Sequence, residues 1–346
     1  MRIFDYASLK EKTWDCEIIS LIAQIHEYKG RQEVYLKQKP EELDKLVEIA
    51  KRQSTEASNS IEGIRTTSTR LKQLCEEKTT PKNRAEEEIL GYRDVLNTIT
   101  TNYILQLHRD LYKYTEKSIG GHFKVSQNVI AATNEMGKEY VLFTPLAPYE
   151  TPAAVDAICE NYNRMIGNQE MDSILLIPIF IHDFLCIHPF SDGNGRMSRL
   201  LTALLLYRSG YVVGKYVSIE SKIAKNKDLY YMALEKCQEG WHDNKENVTP
   251  FIKYMLRIIL AAYRDFEERI ELVSEKLPAK EIVRRAVYSK IGKLSKSDIA
   301  ELCPSIGTKS VELALKQLVE EGILLKKGSG RATFYVRSDS VGSIIP

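Results

Sequence analysis

The sequence predicts a mainly α-helical protein. Apolar residues fill 174–187 almost without interruption, a run of buried-helix length. Met197, Leu200, Leu201, Leu204 and Leu205 then recur at i, i+3, i+4, i+7 and i+8, the spacing of one helix face, and a long amphipathic pattern covers Phe251 to Leu272. The β-prone stretches are short: Val125 to Ala131, Tyr140 to Phe143, Gly322 to Leu325 and Ala332 to Val336.

Composition narrows the class. Of the 346 residues 43% are hydrophobic and 28% charged, as in a globular chain of two or three domains. Lys and Arg number 49 against 47 Asp and Glu, so no global charge drives a partner. Cysteines at 16, 75, 159, 186, 237 and 303 form no Cys-x-x-Cys pair. Cys159 and Cys186 sit in apolar helical runs and read as buried thiols, which implies a reducing compartment. The start, Met-Arg-Ile-Phe-Asp, lacks a signal-peptide pattern, and the apolar runs near 174–181 and 200–206 are too short for a bilayer. A cytoplasmic protein without membrane contact is expected.

Along the chain, Trp14, Ile18, Leu21, Ile22 and Ile25 mark a first helix. Pro40-Glu41-Glu42 starts another, continuing through Leu43, Leu46, Val47, Ile49 and Ala50 towards Ser58. Ser58 to Gly63 reads as a helix end of small polar residues stopped by glycine, which would leave Glu62 a solvated carboxylate. Residues 66–80 read as a surface connection, followed by helices from Glu86 to about Ile99 and from Ile104 to Tyr114. His108 reads as a core or hinge residue rather than a ligand, since no metal partner stands at i+4. Asn134-Glu135-Met136-Gly137 joins the first two β-prone runs as a hairpin turn; Pro145, Pro148 and Pro152 end the hairpin, and Ala153 to Ile166 returns to helix. Ser218 to Cys237 is one helical stretch containing Tyr230 and Tyr231, and Pro278 marks a boundary. Beyond it, helical runs at 280–290, 296–302 and 308–321 precede a hairpin turning at Lys326 to Arg331, a winged helix-turn-helix pattern. Residues 280–337 hold twelve Lys and Arg against six Asp and Glu, a net +6 that leaves −4 for the remainder. Nucleic acid and protein contact are weighed equally for this segment.

The stretch that carries chemistry is His188 to Arg199, His-Pro-Phe-Ser-Asp-Gly-Asn-Gly-Arg-Met-Ser-Arg, a polar loop between two core helices. Gly193 and Gly195 allow successive N–H groups to converge on an anion, the following helix adds its positive end, and Arg196 and Arg199 add two charges one turn apart. This is a phosphate cradle. Asp192 can hold a hard cation, Mg²⁺ if the phosphates belong to a nucleotide, and His188 is placed to take a proton near neutral pH.

These residues resemble the signature of the Fic (filamentation induced by cAMP) family, His-x-Phe-x-Asp/Glu-Gly-Asn-Gly-Arg-x-x-Arg, at every fixed position. The resemblance implies a Fic helical core with a small β-hairpin flap, and transfer of AMP from ATP to a Ser, Thr or Tyr hydroxyl of a target protein and of the chain itself. It implies His188 as the base, and Mg²⁺ held by Asp192. Asn194 and the Gly193–Gly195 backbone would stabilise the α-phosphate, and Arg196 and Arg199 would bind the β- and γ-phosphates. Ser58 to Gly63 fits the family's inhibitory pattern, Ser/Thr-x-x-x-Glu-Gly/Asn, which implies that Glu62 pairs with Arg199 and blocks the γ-phosphate. The flap, 125–143, would receive an extended target segment by strand addition. One of Tyr230 and Tyr231 would lie near the adenine, packing being the equal alternative.

The implied domains are 1–80 with an inhibitory helix at about 42–63, a catalytic core at 81–277, and a winged helix-turn-helix at 278–346. Two alternatives stay open: removal of AMP or transfer of another phosphate-linked group at the same site, and a DNA-binding regulator using the winged helix. Homo-oligomerisation is also open.

Overall fold

Side-chain caps start several of the helices that build the core. The computed structural model describes residues 2–38, 46–47, 50, 53–58, 61, 104–115, 118–133, 137, 139–274, 277–290, 292–303, 306–330 and 333–338. The chain divides into two compact units, Met1–Gln32 with Ala50–Tyr263, and Glu33–Ile49 with Arg264–Pro346.

In the first unit a 3₁₀ turn, Tyr6–Glu11, is capped by the Asp5 carboxylate, which accepts from the Ala7 N–H. It leads to α1, Cys16–Gln38. Next come α2, Ile104–Leu111, and the antiparallel pair β1, Ile130–Thr133, and β2, Glu139–Phe143, in which Ala131 faces Val141 and Thr133 faces Glu139. Helix α3, Thr151–Gly167, carries Pro152 in its first turn, where the missing N–H is harmless. Helix α4, Ser173–Ile187, is capped by the Asp172 carboxylate and buried from Ile174 to Ile187. It packs against α3 and against α5, Asn194–Arg208. Short helices α6, Ile219–Lys225, and α7, Lys227–Gln238, precede the long α8, Thr249–Ser274.

A buried carboxylate ties outlying chain to α4. Asp183 accepts from Arg2 Nη2 at 2.9 Å, Tyr6 Oη at 2.9 Å and Trp241 Nε1 at 2.7 Å. Three donors, one of them cationic, offset the desolvation that an unpaired carboxylate would suffer in this interior.

The second unit carries α9, Ala279–Tyr288, β3, Leu294–Ser295, α10, Lys296–Leu302, α11, Thr308–Glu320, β4, Leu324–Lys327, and β5, Phe334–Arg337. Its three-stranded sheet has the order β3–β5–β4. The helices bury Val283, Ala286, Ile299, Val311, Leu315 and Leu318 together with Leu324 of β4. A capping box fixes the start of α10: Ser295 Oγ accepts the Asp298 N–H, and the Asp298 carboxylate accepts the Ser295 N–H.

Mainly helical architecture with small antiparallel sheets is as the sequence predicts. Three details differ. The hairpin strand begins at Ile130 rather than Val125, because Lys124 and Asn128 are bonded to the chain around His188 instead of to a partner strand. The helix expected over Ser218 to Cys237 is two helices that part at Asn226, where φ −126° and ψ 38° leave the helical region. Strand β3 was unforeseen, since two residues are too few to alternate visibly. Glu62, the connection at 66–80, and the helix expected at Glu86 to Ile99 lie outside the described residues.

Candidate active site

His188 ends α4 with φ 51° and ψ 62°, a left-handed conformation that residues with a β-carbon avoid. Its own N–H still closes the helix on Phe184 O at 2.9 Å. Its ring Nδ1 lies 3.3 Å from Leu185 O. A carbonyl only accepts, so this contact assigns the hydrogen of the neutral ring to Nδ1.

After Pro189 and Phe190 the loop closes on itself. Asn194 Oδ1 accepts the Phe190 N–H at 2.9 Å while Asn194 Nδ2 donates to Phe190 O at 2.7 Å, so this amide is committed to loop shape. Asp192 Oδ1 accepts the Gly193 N–H at 2.7 Å. Gly193 is the N-cap of α5 at φ 82°, and no side chain caps that helix start. A β-carbon there would meet the Tyr112 hydroxyl at 2.9 Å, so glycine is required for space as well as for φ.

Both arginines are buried on the first turns of α5. Arg196 Nη2 donates to Tyr112 Oη at 2.7 Å and lies 3.7 Å from Asp192 Oδ1. Arg199 Nε donates to Ser58 Oγ at 2.8 Å and its Nη2 to Ser58 O at 2.9 Å. Ser58 and Arg199 are therefore brought together, with the serine's hydroxyl and its carbonyl both on the guanidinium, while Glu62, the residue expected to pair with Arg199, lies outside the described residues. Two further bonds hold the same helical segment: Ser54 Oγ to Glu220 Oε2 at 2.7 Å, and Lys227 Nζ to Ile61 O at 2.8 Å.

Tyr230 and Tyr231 meet edge to face with ring centroids 5.4 Å apart but differ in exposure: Tyr230 is buried against Phe251 and Tyr254, whereas Tyr231 is 42% exposed with Lys227 over its ring.

Sequence reasoning placed His108 in the core, as observed, but did not find its partners in the loop or the role of Lys124. His108 is fully buried, stacked on Phe190 with ring centroids 3.7 Å apart, accepts the Gly121 N–H at Nδ1, and so donates from Nε2 to Asp192 O at 3.1 Å. Burial pushes its pKa down to about 4, which keeps the ring neutral. Lys124 is buried with its ammonium on Ile187 O and Asn128 Oδ1, both at 3.0 Å, and burial lowers it to about 8. The only local signal was that these residues lie beside a turn-rich, glycine-containing stretch.

Residues 98–206 match the family model described as Fic/DOC family. The resemblance to the Fic/DOC family is thus confined, in that comparison, to this stretch of the chain. The curated proteins agree in kind. Protein adenylyltransferase Fic of Drosophila yakuba is 26% identical over 185 residues, 51% of this chain and 32% of that protein. The Drosophila erecta protein of the same name is 24% identical over 188 residues, covering 51% and 32%. The match thus spans about a third of these relatives' length. Among solved structures, a Fic family protein from Desulfovibrio desulfuricans G20 superposes with TM-score 0.58 at 20% identity, covering 94% of this chain and 97% of that one. A Fic domain containing signaling protein from Bacteroides thetaiotaomicron VPI-5482 superposes with TM-score 0.56 at 23% identity, covering 72% and 94%. The matched stretch contains α2, the β1–β2 hairpin, α3, α4, the 188–193 loop and most of α5. Among the described residues no helix is long and apolar enough to cross a membrane.

Proposed function

We propose that this chain transfers AMP from ATP to the Ser, Thr or Tyr hydroxyl of a target protein and of itself. The observation that carries the reading is the left-handed turn at His188, an imidazole held through Nδ1 on Leu185 O and followed five residues later by a helix start that no side chain caps and that bears two arginines. Nε2 takes the proton of the attacking hydroxyl. Its oxygen bonds the α-phosphorus, the bond from that phosphorus to the bridging oxygen breaks, and pyrophosphate departs. The backbone N–H groups of Asn194 and Gly195 would stabilise the α-phosphate charge, joined by that of Gly193 once it leaves Asp192 Oδ1, and Arg196 and Arg199 would orient the β- and γ-phosphates. Asn194 contributes chiefly by fixing the loop, because both ends of its amide are bonded to Phe190.

Mg²⁺ fits this arrangement as a nucleotide-borne ion. Asp192 offers a 40% exposed carboxylate beside the cradle, and among the described residues no cluster of three His, Cys, Asp or Glu could cage a metal alone. Mg²⁺ is commonly held by one or two carboxylates plus substrate phosphates, where it neutralises phosphate charge.

Ser58 on Arg199 supports autoinhibition of the same site, with Glu62 following one turn later in the sequence. A second activity is favoured by the order of the C-terminal elements. Helix, strand, helix, helix, strand, strand supports a winged helix, and Lys326 and Lys327 are exposed on β4. That unit would contact nucleic acid.

The test is incorporation of labelled AMP from ATP. Wild type should label itself, while His188→Ala should still bind ATP and lose transfer by roughly 10²–10⁴-fold. Transfer at the wild-type rate in His188→Ala removes His188 as the base.

A further inference from the structure

The segment after α2 is bonded along the backbone that carries His188. Lys124 Nζ donates to Ile187 O at 3.0 Å, the Lys124 N–H to Pro189 O at 2.9 Å, and Asn128 Nδ2 to Phe190 O at 3.0 Å and towards His188 O at 3.5 Å. Lys124 Nζ also donates to Asn128 Oδ1 at 3.0 Å, which joins the two side chains into one clamp. Phe123 completes it by stacking on Phe190, centroids 6.0 Å apart.

Every carbonyl from 187 to 190 thus faces a donor from 124–128. A non-glycine residue in a left-handed turn persists only where its surroundings fix it more firmly than local preference opposes it. Pro189 adds to the opposition, since a residue preceding proline is pushed towards extended conformations. Lys124 answers both: its cation sits on the last carbonyl of α4, the negative end of a 15-residue helix, where a positive charge is favoured.

We infer that Lys124 is a positioning residue for the transfer reaction, holding His188 in the left-handed turn that keeps its ring at the mouth of the cradle. This rests on the reading of His188 as the base. The cradle has supports outside the clamp, His108 on Asp192 O and Tyr112 on Arg196, and at Phe190, which the clamp also touches, the Asn194 amide adds two bonds of its own. Loss of Lys124 therefore moves the base without moving the phosphates' binding groups.

The experiment uses the full chain and measures labelled-AMP incorporation and binding of a non-hydrolysable ATP analogue side by side. Lys124→Met should lower kcat by about tenfold or more, because a small misplacement of a catalytic group has such effects, while analogue Kd stays within about twofold. Lys124→Arg keeps a cation and its donors and should recover kcat to within about threefold of wild type. A purely structural role would give loss of folded protein or of both parameters together, with no split between kcat and Kd. If Lys124→Met does not fold, Asn128→Ala removes one arm of the clamp and should lower kcat by about threefold with Kd unchanged. A kcat within about twofold of wild type in Lys124→Met, or in Asn128→Ala where that replaces it, overturns the inference. His188→Ala, run in parallel, separates the two claims: if it transfers normally, the base assignment fails whatever Lys124 does.

Discussion

Protonating His108 would place a hydrogen on Nδ1, towards which the Gly121 N–H already points, so burial and geometry both favour the neutral ring. An unfolded histidine titrates near 6.5 and this one near 4, so the native state binds fewer protons between those values. The stability this position contributes is complete above about pH 6.5 and is lost as pH falls towards about 4. Denaturant unfolding of wild type and His108→Leu at pH 7.5 and pH 5 measures it. The wild-type advantage should shrink at the lower pH, by on the order of 1 kcal/mol per pH unit inside that window. An advantage that does not change with pH would mean that the ring is not held neutral. Gly193 lies on the other side of Tyr112, so one phenol limits the loop's backbone and also accepts the Arg196 bond.

The short helical stretch 53–58 is bonded to Arg199 through Ser58 and to Glu220 through Ser54, two side chains four residues apart on one helical face. If Glu62 adds a carboxylate to the same guanidinium, Glu62→Gly should raise self-labelling by more than about tenfold, since about 1.4 kcal/mol gives that factor. Glu62→Gly with Arg199→Ala should lose the gain. Equal labelling by wild type and Glu62→Gly would make this stretch merely structural, and weaker labelling would favour a glutamate that positions water for AMP removal. The His188 to Arg199 element was legible in the sequence because its parts are contiguous: glycines, helix start and charges all act within twelve residues. Ser58 was legible only through a family pattern. The burial of His108 was legible, but its contact with the loop and that of Lys124 were not, since they bond backbone carbonyls 84 and 63 residues away, and a carbonyl leaves no mark on residue type. The break at Asn226 escaped notice because the residues on both sides carry helical patterning.

Across the whole molecule, charge is distributed unevenly while the total stays near neutral: 280–337 is net +6 and the remainder −4. Nucleic-acid binding by this segment should therefore weaken with salt, and replacing Lys326, Lys327 and Arg331 by alanine should lower affinity and flatten the salt dependence. A gel-shift titration at several salt concentrations checks this, and an unchanged slope would assign the segment to protein contact. The division of the chain into Met1–Gln32 with Ala50–Tyr263, and Glu33–Ile49 with Arg264–Pro346, also bears on biosynthesis. Residues 33–49, including the fully buried Leu46, leave the ribosome before any of the 264–346 segment that completes their unit. At roughly 5–20 residues per second that wait lasts on the order of 10–40 s. Through that interval Leu46 is synthesised but lacks the later chain that completes its unit, so the burial of this side chain is a late event in the making of the protein.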